Sequence, residues 1–135
     1  MDSLSLKIVT PQGPVADSLR VKSVSVPGVC GEIGILPNHT PLVTALKPGL
    51  VEYAPESGKP VVGFASGGYV DVTSESLTLI LDVLEFPDHV DFERARAAEK
   101  RAVERLESSS SMDIDIARAL ASLDRARARL QLERM

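Results

Sequence analysis

Apolar residues occupy every second position near the start of the chain, at Leu4, Leu6 and Ile8, and again over residues 77–81. Because the side chains of a strand point alternately to the two faces of a sheet, this period of two predicts antiparallel strands with one buried face. Eight strands are predicted, over residues 3–9, 19–26, 32–35, 41–46, 49–54, 60–65, 68–73 and 77–82. So many short strands in so short a segment predict a small sandwich or flattened barrel.

The composition of the chain changes at Pro87. All nine glycines lie between Gly13 and Gly68 and no proline follows Pro87, whereas nine alanines follow it. Glycine and proline mark turns between strands, and alanine favours helices. We therefore expect two domains, a β-sandwich over residues 1–86 and helices over residues 87–135.

The second domain contains an internal repeat. Residues 91–106 and 115–130 match at 8 of 16 positions with a constant offset of 24. Each copy predicts one helix, the first with Asp91 as a plausible N-cap, and Ser108–Ser111 is long enough to reverse the chain between them. The predicted fold class is thus mainly β plus α, an N-terminal antiparallel β-sandwich followed by a C-terminal antiparallel two-helix hairpin. The predicted seam between the helices consists of Ala95, Ala102, Leu106, Ala119, Ala126 and Leu130.

An alanine seam buries little apolar surface, about 1 kcal/mol or less for each side chain. A hairpin held this weakly opens, or leaves the sandwich, at modest cost in free energy. The sequence therefore leads to the hypothesis that the C-terminal half is a mobile element.

Arginines recur at i, i+7 and i+11 in each copy of the repeat, which places them on one helical face. They are Arg94, Arg101 and Arg105 in the first copy and Arg118, Arg125 and Arg129 in the second. If the two faces converge, their guanidinium groups suit a polyphosphate. The alternative is a solvated face whose charge is screened by nearby carboxylates.

Charge and composition exclude several other functions. The net charge of −4 offers no basic field for nucleic acid, and no secretory signal or membrane-spanning run is recognisable. One cysteine and two histidines at no ligand spacing argue against a metal site. Cys30 and His39 could form a nucleophile and base, but neither an orienting group nor an oxyanion loop accompanies them. A structural cysteine in a turn and a histidine on a proline-bounded loop are the simpler interpretation.

One segment resembles a known family. Residues 31–42, GEIGILPNHTPL, closely resemble the GELGILPGHxPL signature of the epsilon subunit of bacterial F-type ATP synthase. Similar stretches follow the family's order at residues 9–15, 66–72 and 91–95. The resemblance extends from about Leu6 to Leu130, nearly the whole chain.

The resemblance implies a non-catalytic role in a rotary motor that couples proton flow to ATP synthesis. The sandwich would bind the gamma subunit and the c ring, with Glu32 and His39 at the ring contact. The helices would fold down on the sandwich, or extend toward the alpha and beta subunits and block rotation in the hydrolysis direction. The implied location is the cytoplasmic face of the bacterial cell membrane, with the chain attached only through the complex.

Some members of the family bind ATP in the folded hairpin through a motif written I/L-D-x-x-R-A. The resemblance therefore implies no required cofactor but ATP as a regulatory ligand, and it leaves a role for Mg²⁺ open. Val90 is the one departure, because the motif has Ile or Leu there. The positions that match the motif and its further charged residues are Glu85, Asp91, Arg94, Ala95, Arg101, Arg125 and Arg129.

Four hypotheses remain open from the sequence. The chain is a stalk subunit that also regulates hydrolysis, or a stalk subunit whose arginines contact only proteins. A free-standing nucleotide sensor and a small hydrolase that uses Cys30 or His39 belong to other classes.

Overall fold

The computed structural model describes residues 3–107 and 116–134 of the chain. All eight predicted strands are present, and a ninth, very short strand follows them. The strands are β1 (Leu4–Thr10), β2 (Gly13–Gly28), β3 (Gly31–Ile35), β4 (Leu42–Leu46), β5 (Gly49–Pro55), β6 (Val61–Ala65), β7 (Gly68–Val72), β8 (Ser76–Leu81) and β9 (Leu84–Glu85).

β2 is twice as long as the sequence pattern predicts. It begins at Gly13 instead of residue 19, because its first part pairs with β1 across a tight turn at Thr10 and Gly13. This part is mostly exposed and contains a positive φ at Ser18, where the β1–β2 register is irregular. Clean alternation of apolar residues is therefore lost there, although the backbone hydrogen bonds continue.

The strands form one continuous hydrogen-bonded arrangement in the order β1-β8-β7-β4-β2-β5-β6-β9. The long β2 lies between β4 and β5 in this order. It also pairs with β1 and with β3. The pairing is antiparallel as predicted, except that β1 and β8 run parallel, with Ser5 opposite Ser76 and Val9 opposite Ile80. Because β2 pairs with both β4 and β1, the strands form a closed ring of pairs in the order β1-β8-β7-β4-β2.

The sandwich core consists of the inward-facing residues that define the alternating pattern. Leu4, Leu6 and Ile8 of β1 are fully buried, and so are Leu77 and Leu79 of β8. A core of this size needs no disulfide or metal.

Two helices follow a short 3-10 turn at Pro87–His89 and pack against each other in antiparallel orientation. They are α1 (Phe92–Glu107) and α2 (Ile116–Glu133), and neither is long and apolar enough to span a membrane. Asp91 caps α1 as predicted, because its Oδ1 accepts the backbone N–H of Arg94 at 3.0 Å. The predicted serine connection at 108–111 lies outside the described residues.

The alanine seam is confirmed. Ala95 and Ala102 of α1 and Ala119 and Ala126 of α2 are each at most 3% exposed. Leu106 and Leu130 are only half-buried, and Leu123 is buried instead. Two ion pairs between the helices, Arg96–Glu133 and Arg127–Glu99, show the antiparallel register on the exposed side.

The hairpin lies folded against the sandwich. Ala128 and Leu132 of α2 pack on the fully buried ring of Phe64 in β6. Four half-buried apolar residues, Leu50, Val62, Val90 and Phe92, complete this second cluster. The cluster joins β6 and β5 to α2 and places the start of α1 beside the sandwich edge.

Candidate functional site: an arginine-lined cavity

All seven residues predicted to contact ATP line one cavity of about 440 Å³. The cavity lies where β9, the 3-10 turn and the facing surfaces of α1 and α2 meet. The seven are Glu85 of β9, Asp91 before α1, Arg94, Ala95 and Arg101 of α1, and Arg125 and Arg129 of α2. The structure therefore brings together residues up to 44 positions apart in sequence.

The lining carries more positive than negative charge, with four arginines against two carboxylates. Within residues 3–107 and 116–134, the guanidinium groups of Arg94 and Arg101 have no hydrogen-bond or ion-pair partner. Both side chains are exposed and so remain hydrated. Guanidinium groups with unused donors are good ligands for phosphate oxygens.

Arg129 has the most constrained side chain in the cavity. Its Nε donates to Oε1 of Glu85 at 2.8 Å, and its Cζ lies 4.3 Å from the ring centroid of Phe64. The two partners both belong to the sandwich, whereas Arg129 belongs to the hairpin. Arg129 is therefore a direct link between the two domains at the cavity wall.

The remaining predicted residues also have local structural roles. Arg125 donates to the hydroxyl of Ser122, one turn earlier on α2, at 3.2 Å. Asp91 is the N-cap of α1, and its carbonyl oxygen accepts the N–H of Ala95 at 3.0 Å. Ala95 has the small side chain that the helix seam needs. The motif thus builds the start of the hairpin and one wall of the cavity at once.

Four further residues, which the sequence did not predict as part of the site, also line this cavity. They are His89, Ala98, Ser122 and Ala126, of which Ala126 was predicted only for the helix seam. Ser122 and Ala98 could be predicted from helix periodicity. Ser122 lies one turn before Arg125, and Ala98 lies one turn before Arg101. Arg105 and Arg118 do not line this cavity. They lie nearer the far end of the hairpin, so the convergence of arginines holds for four of the six.

The predicted ring contacts are Glu32, near the start of strand β3, and His39, four residues beyond its end. Glu32 accepts the Ser25 hydroxyl at 2.5 Å and lines a second cavity of about 760 Å³ between the sandwich and α2. His39 lies in the loop after β3, where its Nδ1 donates to the carbonyl oxygen of Thr40 at 2.7 Å. Among the described strands β3 pairs with β2 alone, so Glu32 lies on a strand with one open edge.

Cys30 lies in the turn between β2 and β3, as predicted, and is exposed. Eight residues separate it from His39, and the five that form β3 alone span about 16 Å. The structure therefore does not assemble them as a nucleophile and base. Among the described parts of the chain, no three histidine, cysteine or carboxylate side chains gather to hold a metal ion.

The described residues thus form a strand-rich unit with a helical hairpin folded on it and an arginine-lined cavity where the two meet. The ATP synthase Delta/Epsilon chain beta-sandwich domain matches residues 3–87, and the long alpha-helix domain of the same family matches residues 88–132. The chain belongs to the delta/epsilon-chain family of ATP synthase, a non-catalytic subunit, as the sequence predicts.

Curated relatives support the same family over nearly the full length. The ATP synthase epsilon chain of Halalkalibacterium halodurans is 42% identical over 132 residues, which cover 98% of each chain. That of Bacillus licheniformis is 41% identical over 134 residues, with 99% of this chain and 100% of the relative covered. That of Desulforamulus reducens is 43% identical over 121 residues, 90% and 89% of the two chains.

Two solved structures share the fold at low sequence identity. A chain in the OSCP/F1/c-ring structure of the Euglena gracilis mitochondrial ATP synthase superimposes with a TM-score of 0.86 at 20% identity. The match covers 100% of this chain and 83% of that one. A chain of the Tetrahymena thermophila mitochondrial ATP synthase central stalk and c-ring gives a TM-score of 0.60 at 13% identity, with 97% and 98% covered.

Proposed function

We propose that this chain is a central-stalk subunit of a proton-translocating ATP synthase whose C-terminal hairpin senses ATP. The observation that carries the proposal is the single cavity that four arginines and two carboxylates line. Its wall is built from both helices and from β9, so the complete cavity exists only while the hairpin lies folded on the sandwich.

In the proposed complex, the carboxylates and the turn from Asp91 to Ala95 hold the base and sugar of ATP. Arg101, Arg125 and Arg129 hold its phosphates. Because ATP then binds the folded state and not the extended one, it shifts the population toward the folded state. Falling ATP releases the hairpin.

The released helices extend toward the alpha and beta subunits and block rotation in the hydrolysis direction. Two features support the release step. The seam between the helices is lined by alanines, and two ion pairs that join the helices, Arg96–Glu133 and Arg127–Glu99, are exposed. Exposed ion pairs add little stability, so the opened hairpin is energetically accessible.

We assign the gamma-subunit contact of residues 1–86 to an apolar patch on the outer face of the sandwich. Val43, Tyr69 and Ile80 are 70%, 58% and 51% exposed on the neighbouring strands β4, β7 and β8, with Tyr69 directly opposite Ile80. Exposed apolar groups that adjoin one another mark protein contacts. Glu32 and His39 remain the proposed contacts with the c ring. The chain is thereby held peripherally at the cytoplasmic face of the bacterial membrane.

The gamma contact is tested by co-purification of the chain with the gamma subunit. We expect Ile80→Lys to remove the complex, because it places a charge inside an apolar interface. Val15→Lys is the matched control, because Val15 is also an exposed aliphatic residue, 44% exposed, but lies on β2 and not in this patch. Retention of gamma by the Ile80 variant would assign the contact to another face.

The ATP site is tested by calorimetric titration of ATP into the full chain. We expect Arg101→Ala and Arg125→Ala each to abolish or strongly weaken binding. Lys100→Ala is the control, because Lys100 is exposed beside Arg101 but does not line the cavity. Binding that neither arginine variant changes would place the nucleotide elsewhere.

A second candidate is a stalk subunit without a nucleotide site. It is favoured by the structural roles of the motif residues, since Asp91 caps α1, Ala95 fits the seam and Arg129 pairs with Glu85. In that case Arg94 and Arg101 contact an acidic segment of a protein partner. Absence of ATP binding at millimolar concentration would select this candidate and leave the stalk role intact.

A further inference from the structure

Phe64 lies beneath the cavity although it contributes no surface to it. The residue belongs to β6, is fully buried, and is the backbone register partner of Glu85 in β9. The ring and the carboxylate therefore stand side by side at the edge of the sandwich. Neither the epsilon-family motif nor the apolar pattern of the sequence singles out Phe64.

The two residues hold one guanidinium group from two directions. Glu85 accepts the Nε–H of Arg129 at 2.8 Å, and the face of the Phe64 ring lies 4.3 Å from the Cζ of Arg129. An arginine within about 6 Å of a ring centroid is attracted by the ring quadrupole, and more strongly where water is excluded. Both side chains of the Arg129–Glu85 pair are more than two-thirds buried, at 27% and 29% exposed.

We infer that Phe64 is a positioning residue for the phosphate site: its ring fixes the guanidinium of Arg129 in the cavity wall. This inference rests on the proposed ATP site and extends it from the hairpin to the sandwich. Arg129 is thereby already ordered before ligand arrives, so less side-chain entropy is lost when phosphate binds. Because cation–π contact does not use the N–H donors, the remaining donors of the guanidinium stay available for phosphate oxygens.

Glu85 alone does not provide this positioning. A triphosphate that approaches Arg129 competes with the Glu85 carboxylate for the same donors. The ring competes for none of them, so it continues to hold the guanidinium after the ion pair with Glu85 weakens.

The test is a double-mutant cycle on the full chain, measured as ATP affinity by calorimetry. Phe64→Leu removes the ring quadrupole but keeps an apolar side chain, and Phe64→Met serves if the leucine variant does not fold. Val62→Ala is the control, because Val62 lies two residues away on the same strand and in the same apolar cluster but has no aromatic ring. Each variant is combined with Arg129→Ala, and all are checked for folding by circular dichroism.

We expect Phe64→Leu to weaken ATP binding by roughly 3- to 30-fold. Arg129→Ala should then reduce affinity much less in the Phe64→Leu background than in the wild type, because its position is already lost. In the Val62→Ala background Arg129→Ala should keep its full effect, and Phe64→Tyr, which retains the ring, should keep wild-type coupling.

Equal effects of Arg129→Ala in the wild-type and Phe64→Leu backgrounds would overturn the inference, since a merely structural role for Phe64 is additive. That result leaves the ATP site standing. Failure of the wild-type chain to bind ATP overturns the proposed function first and the positioning role with it, so the two failures are distinguishable.

Discussion

At the scale of single residues, Asp91 performs two roles that depend on different atoms and chemistry. Its carboxylate accepts a backbone N–H at the start of α1, which any good N-cap side chain can do. It also contributes one of the two negative charges in the cavity lining, which a neutral side chain cannot do. The substitutions Asp91→Asn and Asp91→Ala therefore separate the capping role from the role of the charge.

We expect Asp91→Asn to keep the stability of the chain, because asparagine is an equally good N-cap, while the affinity for ATP falls. Asp91→Ala should lose both affinity and about 1 kcal/mol of unfolding free energy. Urea denaturation and ATP titration measure the two effects. Asp88→Ala, an exposed carboxylate in the 3-10 turn, is the control for the loss of charge. Equal ATP affinity in all three variants would remove Asp91 from the site.

Among the glycines, Gly68 is the one at which a Cβ would have the least room. Its φ is +146°, and a Cβ at this position would overlap the carbonyl oxygen of Ile80 on the paired strand. We expect Gly68→Ala to lower the free energy of unfolding by more than about 2 kcal/mol, through strain and a displaced strand. Gly34→Ala is the matched control, because a Cβ there meets nothing within 4 Å. Denaturant midpoints that shift equally for both glycines would contradict the close approach of β7 and β8.

At the scale of elements, the alanine seam determines how closely α1 and α2 approach. Ala95, Ala102, Ala119 and Ala126 leave no room for a larger side chain between the helix backbones. The seam also sets the cavity, because Arg101 and Arg125 come from helices that only this close packing brings together. The packing of the two helices therefore also determines the geometry of the cavity.

We expect Ala102→Leu to force the helices apart and to lower the unfolding free energy by about 1–3 kcal/mol, as overpacking generally does. ATP affinity should fall with it, since the arginines of the two helices separate. Ala97→Leu on the exposed face of α1 should change neither quantity. Thermal denaturation and ATP titration of the two variants provide the comparison. Wild-type values of the unfolding free energy and of ATP affinity in Ala102→Leu would show that the seam has space for a larger side chain.

The seam and eight strands could be predicted from the sequence, because each has a local repeat of two or of three to four residues. β9 could not, since Leu84 and Glu85 form too short a strand to show any period. β9 nevertheless supplies Glu85 to the cavity, which only the resemblance to a family motif located. The role of Phe64 also has no sequence signal, because it depends on a register between β6 and β9 and on the docking of α2.

At the scale of the whole molecule, the two domains differ in how they are held together. The sandwich is held by a closed circuit of strands around fully buried leucine, isoleucine and valine side chains. The hairpin is held to it by one small cluster around Phe64 and by the Arg129–Glu85 pair. Because local opening free energies follow buried apolar contact, we expect the hairpin to be the less stable part.

We expect amide hydrogen exchange to be faster in α1 and α2 than in β1 and β8. Saturating ATP should slow exchange in the helices, because a ligand at about 100 times its Kd stabilises the folded state by about 2.7 kcal/mol. Sandwich strands should change little. Helix protection equal to that of the sandwich in the absence of ATP would show that the hairpin is not an independent mobile element.

The parallel pairing of β1 with β8 has a consequence for the order of events during synthesis. Strand β1 is synthesised before the other strands of the sandwich and pairs with residues about 70 positions later, Ser5 with Ser76 and Val9 with Ile80. Closing so long a loop is slow, and the circuit of strands cannot close before β8 has emerged. The helices α1 and α2 emerge after the sandwich strands, when the surface on which they fold, Phe64 included, already exists. A nascent chain thus forms its sandwich first and the hairpin that packs on it afterwards.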